Sequence, residues 1–422
     1  MHTIYSRTMT TVNHQEQSGT AHVAIAGAIP VWKLLALTMA GFLAIMTETL
    51  PAGLLPQIGQ GLGVSESLAG QLVTLYALGS VLAAIPVIAA TRAWNRRRLF
   101  LMAISGLLVF NTLTALSPFY WLTLCARFVA GMAAGVVWGL LAGYARRMVA
   151  GNLQGRALAV AGVGQPVALA IGVPLGTWLG TALDWRDVFW IMSVLSLVLW
   201  VWVRLALPDF TGEPARQQSS VRNILLKRGI RPVLLALFTW ILAHNLLYTY
   251  IAPFLNAEVP GLRVDAVLLL FGAASIAGIV GTGLLVDRWL RTVTLLSLAV
   301  FSVAALMIGV ASGSPFGVLL GIAAWGLTFG GAPTLLQTAL ADSAGDAADV
   351  AQSMLVTVFN IAVAGGGLLG GMLLERLGSA SLPWASAALA VLGLSVVWLA
   401  RTDGFPAGQR VAISHPDTRL PT

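Results

Sequence analysis

Residues 31–56 read VWKLLALTMAGFLAIMTETLPAGLLP, an apolar run in which Lys33 and Glu48 are the only charged residues. The hydrocarbon core of a bilayer takes about 20 apolar residues of helix, so this stretch is long enough to cross it. A transmembrane barrel would instead show strands of about ten residues with alternating polarity. Working outward, similar runs recur at 68–90, 99–116, 119–142, 157–183 and 188–207. Beyond a polar stretch at 208–229 they continue at 232–255, 267–285, 293–310, 316–340, 354–374 and 383–399. The predicted fold is all-α, with twelve transmembrane helices in two pseudo-symmetric six-helix bundles. Its divisions are an N-terminal tail (1–30), a first bundle (31–207), a central loop (208–230), a second bundle (231–401) and a C-terminal tail (402–422).

Composition supports the same class. Of 422 residues, 58% are hydrophobic and 9% charged, whereas soluble domains carry about 25% charged residues, so an ordinary soluble globule is excluded. Cys125 is the only cysteine, which excludes an internal disulfide and a cysteine-based zinc cage. The sequence holds no nucleophile–base set, no His-x-x-x-His pair and no phosphate loop, so neither an enzyme nor a bound metal or cofactor is expected.

The net charge of +8 is mostly topology. With the N-terminus cytoplasmic, the inner segments hold 20 of the 24 basic residues and the outer loops only Arg186, Arg263 and Arg376, Arg127 being inside a span. That asymmetry follows the positive-inside rule, which makes the chain a multi-pass protein of the cell inner membrane with both termini cytoplasmic. The expected partners are the lipid bilayer, protons and a small-molecule substrate, with no nucleic acid, and a monomer is expected.

Six spans, a basic loop and six more spans suggest duplication, as in transporters built from repeats. The loop after the second span, Thr91-Arg92-Ala93-Trp94-Asn95-Arg96-Arg97-Arg98, has a counterpart after the eighth, Asp287-Arg288-Trp289-Leu290-Arg291. Small residues at steps of four let helices approach closely. Such stripes occur at Gly131, Gly135, Gly139 and Gly143, at Gly172, Gly176 and Gly180, and around Gly365 to Gly371. They serve static packing, or rocking of one helix on another, or both.

Ionisable residues inside a membrane are functional candidates because a charge at mid-bilayer costs about 2.5 to 3.5 kcal/mol. Three stand out. Glu48 is either a proton-loading carboxyl or a structural one beside Pro51 and Pro56, residues that can free backbone carbonyls. Arg127, which does not lose its proton, is either a countercharge to Glu48, a fork for an anionic substrate, or a side chain snorkelling to the outer interface. His244, with Trp240 and Tyr248 at steps of four and Asn245 beside it, is either a titrating group or a hydrogen-bonding one. Gln165, Gln337 and Asn360 are neutral polar groups that join helices or, with Trp138, Trp240, Asn245 and Tyr248, line a central substrate cavity.

Several segments together carry a family resemblance: Glu48-Thr-Leu-Pro-Ala-Gly-Leu-Leu-Pro-Gln-Ile58, Ala69-Gly-Gln-Leu-Val-Thr-Leu-Tyr-Ala-Leu-Gly79, Gly172-Val-Pro-Leu-Gly-Thr-Trp-Leu-Gly180, Asp184-Trp-Arg186 and Tyr248-Thr-Tyr-Ile-Ala-Pro-Phe254. The chain resembles major facilitator superfamily transporters of the twelve-span efflux branch, which contains sugar, purine-nucleoside, arabinose-type and drug exporters. The resemblance implies alternating access and proton-coupled export, with the proton gradient as energy source. It also implies Glu48 as coupling carboxyl, Arg127 as the fourth-span arginine, and Gly172, Pro174, Gly176 and Gly180 within the antiporter-type fifth-span motif. The inner-loop signature survives as Gly283, Asp287 and Arg288, implying a gate at the cytoplasmic mouth. In the first copy Thr91 replaces the acid, while Arg92 and the cluster from Arg96 to Arg98 remain. Proton-independent facilitation and a transport-dead membrane sensor are the alternative functions.

Overall fold

The computed structural model describes residues 29–84, 87, 90, 91, 93–212 and 221–406, so Arg92 and most of both tails lie outside the described residues. The first six spans are Val31–Leu62, Glu66–Ala84, Arg96–Leu116, Tyr120–Arg147, Gly151–Ala182 and Trp185–Ala206. The seventh, Ile230–Thr249, breaks at Tyr250 and resumes as Ile251–Glu258. Pro253 explains the break, because it cannot donate to the Thr249 carbonyl four residues earlier. Pro315–Ala344, Ala348–Leu377 and Ser381–Leu399 close the series.

The eighth and ninth spans, expected as separate helices, form one helical stretch, Val264–Val310, whose only non-helical residue is Trp289. Its 47 residues correspond to about 70 Å of helix, more than two bilayer cores of about 30 Å. Ten described helices are individually long and apolar enough to span a membrane. Counting the two arms of Val264–Val310 and adding Glu66–Ala84 makes the architecture consistent with twelve.

Glycine sets the closest helix pairs. The second and fourth spans meet backbone to backbone, since a methyl on Gly131 would collide with the Tyr76 carbonyl and one on Gly79 with that of Phe128. Six spans later the eighth and tenth repeat this, with Gly278 against the Leu327 carbonyl and Gly330 against that of Ser275. The first span packs on the fifth and the seventh on the eleventh, while the third packs on the sixth and the ninth arm on the twelfth. These repeated pairings are the structural form of the duplication. Not every glycine of a stripe is used, for Gly143 has nothing within 4 Å.

The basic loops repeat a device as well. A helix ends with carbonyls that lack partners. Arg97, at the start of the third span, donates to the Leu207 carbonyl at the end of the sixth (3.2 Å) and lies 3.9 Å from Asp209. Arg291, at the start of the ninth, donates to the Val397 and Trp398 carbonyls of the twelfth, at 2.7 and 2.9 Å. Arg96 contributes its backbone N–H to the Phe210 carbonyl. The acid missing at Thr91 thus has a local substitute in Asp209, which also accepts from Asn95.

Contacts between the first and last six spans join the second to the eleventh, the fifth to the eighth and the first to the seventh. They gather toward the end bearing Ser67 and Tyr250. There Tyr250 Oη donates to the Gly367 carbonyl (2.7 Å) and Ser67 Oγ to that of Gly371 (3.0 Å), while Gly272 abuts the Ala170 backbone.

The kind of neighbour distinguishes the glycines. Gly176 faces the movable Leu50 Cδ1, which a methyl would approach to 2.5 Å, whereas Gly131 faces backbone. Gly131→Ala should therefore lower thermal stability in detergent by about 1 to 3 kcal/mol through overpacking, with Gly176→Ala close to wild type. Melting curves followed by size-exclusion chromatography check the ordering.

Candidate functional site

Pro51 sits inside an unbroken first helix. Lacking an N–H, it leaves the carbonyl of Thr47, four residues earlier, without its usual helical donor. Arg127 of the fourth span supplies that donor, with Nη2 closing on Thr47 O. The guanidinium is fully buried and lies over the Tyr76 ring (4.7 Å) and the Phe189 ring (5.6 Å). It does not snorkel to an interface. Asn111 donates to Thr47 Oγ1 at 3.1 Å, and Tyr76 Oη donates to the Ala44 carbonyl at 2.8 Å. One turn of the first helix is thus tied to the second, third and fourth spans.

Glu48 lies beside this turn and is 8% exposed. It is near enough to Arg127 for the two to interact electrostatically, and no hydrogen bond or ion pair closes on its carboxyl among the described residues. Arg127 Nε and Nη1 are buried without partners. An unpaired buried donor on a guanidinium is costly, so the fork is suited to receive a carboxylate.

His244 belongs to a second cluster. Its ring stacks on Phe329 with centroids 3.4 Å apart and packs on Tyr248, Phe271 and Trp325. Trp325 Nε1 donates to His244 Nδ1 at 3.1 Å. Indole nitrogen only donates, so protonating Nδ1 would destroy this bond. In this arrangement His244 Nδ1 is an acceptor and its ring is part of an aromatic cluster.

The cavity candidates separate by position. Trp138 is half-buried in the fourth span near Gly41, and Gln165 is half-buried in the fifth. Trp240 and Tyr248 are buried, and neither Trp240 Nε1 nor Tyr248 Oη has a partner. Asn245 and Asn360 each donate to their own helix, to the carbonyls of Ile241 and Val356. Gln337 is exposed together with Thr334, although Leu335, Leu336, Ala339 and Leu340 around them are buried. A polar helix face of this kind belongs against water rather than lipid. The structure brings together Glu48 with Arg127 and His244 with Tyr248; it gives no contact joining the two groups.

Among the gating candidates, Gly172, Gly176 and Gly180 face Met46, Leu50 and Leu54 of the first span, and Pro174 is buried in the same stretch. Asp287 and Arg288 are exposed immediately before the break at Trp289. Sequence reasoning missed Thr47, Asn111 and Phe189 around Arg127, and Phe271, Trp325 and Phe329 around His244. Only Thr47 left a signal, its position four before a proline.

A buried acid near a buried base inside membrane-length helices, in two bundles joined toward one end, is the kind of arrangement that repeat-built transporters use. The Major Facilitator Superfamily model matches residues 37–351, and the chain belongs to that family, whose members are transporters rather than enzymes. It is 32% identical over 385 residues to the transcription regulatory protein OpdE of Pseudomonas aeruginosa, covering 89% of this chain and 95% of that protein. It is 31% identical over 341 residues to the purine ribonucleoside efflux pump NepI of Escherichia coli, covering 80% and 86%. The D-xylose-proton symporter has the same fold, with TM-score 0.73 and 14% identity over 88% of this chain and 98% of that one.

If Pro51 creates the acceptor that Arg127 fills, the two positions are coupled. Pro51→Ala restores an N–H for Thr47 O, so it should stabilise an Arg127→Leu protein by about 1 kcal/mol more than it stabilises wild type. A double-mutant cycle of detergent unfolding measures that difference.

Proposed function

We propose that this chain exports a small organic solute across the cell inner membrane in exchange for protons, by alternating access of its two bundles. The observation that carries this reading is the pair of unpartnered Arg127 nitrogens beside the buried Glu48 carboxyl. Once deprotonated, Glu48 is drawn to the Arg127 fork and ties the first span to the fourth; once protonated it is neutral and lets go. A proton therefore changes which arrangement of these helices is favoured, which is what coupling requires.

The positive-inside distribution supports an orientation with the Tyr250 end outside, which makes the arrangement described open inward. The polar face of Thr334 and Gln337 then lines the inner vestibule. When this vestibule closes, Asp287 and Arg288 stand at its mouth and help to hold it.

The substrate class favoured here is a purine ribonucleoside or a similar planar heterocycle. The name of the Escherichia coli relative supports it, as do the stacked rings around His244 and the unpartnered Tyr248 hydroxyl among them, which suit a flat polar molecule. A sensor function is the second reading, favoured by the name of the Pseudomonas relative.

Proteoliposomes with an imposed pH gradient and a purine ribonucleoside test the reading. Wild type should accumulate it against its gradient. Glu48→Gln should insert normally and lose that accumulation while still exchanging substrate downhill. A Glu48→Gln protein that still concentrates substrate would remove Glu48 from coupling, and a wild type that moves none would favour the sensor.

A further inference from the structure

Toward the closed end the two bundles leave a cleft of about 310 Å³ between the first and fifth spans on one side and the seventh and eighth on the other. It lies apart from Glu48, Arg127 and the His244 cluster, none of which line it. Trp178 presents a half-exposed indole face to it, 46% accessible. Gln57 donates through Nε2 to Thr181 Oγ1 at 3.5 Å, which leaves its buried Oε1 as an acceptor without a partner. From the other bundle come Asn256, exposed, and an Arg263–Asp265 pair, both lining the cleft, in which the guanidinium donates to both carboxylate oxygens, at 3.2 and 2.7 Å. An aromatic platform, an amide acceptor lacking a donor, a second amide and a carboxylate edge converge on one small cleft.

We propose that this cleft is a second ligand site, for a planar nitrogen heterocycle bearing N–H donors, and that occupying it from outside holds the bundles in the present arrangement. The ring stacks on Trp178 while its N–H groups reach Gln57 Oε1 and the amide or carboxylate of the facing bundle. Because the lining is divided between the bundles, the site is complete only while they touch at this end. A ligand that binds one arrangement better stabilises that arrangement, so external heterocycle slows the return to the outward-open state and restrains export. The placement outside rests on the orientation read above.

The test uses full-length protein in intact cells, with Cys125→Ser removing the native thiol and Asn256→Cys introducing one in the cleft. A membrane-impermeant maleimide should label the introduced thiol, and external adenosine should slow the labelling. At ten times its Kd about one site in eleven stays free, so labelling should slow about elevenfold. Adding Trp178→Ala should abolish this protection and relieve inhibition of efflux by external adenosine, leaving efflux in its absence unchanged. Absence of labelling, absence of protection, or protection that survives Trp178→Ala overturns the proposal. If adenosine protects the thiol but is not exported, the site stands and the substrate reading falls; if it is exported without protecting, the reverse holds.

Discussion

The organisation of the first bundle depends on one carbonyl. Pro51 deprives Thr47 O of its helical donor, and a fully buried arginine fills the vacancy. A buried guanidinium is tolerable only if its surroundings compensate for lost hydration. Here the Thr47 carbonyl and the Tyr76 and Phe189 rings do so in part, leaving two nitrogens for an anion. Glu48, the next residue after Thr47, is carried to the same place by the same turn of helix. The proline thus sets the acceptor and the acceptor sets the arginine, which in the proposed mechanism gives the carboxyl a partner whose attraction depends on protonation.

Around that centre the scaffold is built from two ordinary devices used twice. Glycine contacts between backbones fix the second span on the fourth and the eighth on the tenth. Arginines at the starts of the third and ninth spans cap the ends of the sixth and twelfth. Each bundle is thereby tied together internally, while the joins between bundles gather toward the Tyr250 end. Rigid units with few shared fastenings are what rocking motion needs.

Much of this was legible in the sequence, because length and hydropathy report directly on bilayer crossing. The glycine spacing of the fourth and fifth spans and the charges of Glu48 and Arg127 stood out against an apolar background for the same reason, whereas Gly278 and Gly330 did not. What the sequence could not supply were partners brought together by packing: Asn111 and Phe189 are ordinary residues until helix crossing brings them to Thr47 and Arg127. For His244 the sequence left titration and hydrogen bonding open, and only packing supplies the Trp325 indole that donates to Nδ1. The basic loops also carried a second meaning, helix capping, that charge counting absorbed into topology.

The central claim, proposed above, is that protonation of Glu48 is linked to substrate binding through the arrangement of the helices. Purified wild-type protein in a weakly buffered solution with a pH indicator measures this directly when substrate is added. The account predicts a burst of released protons that saturates with substrate and disappears in the Glu48→Gln protein. Substrate binding with no proton release in wild type, or an equal burst from Glu48→Gln, would contradict it.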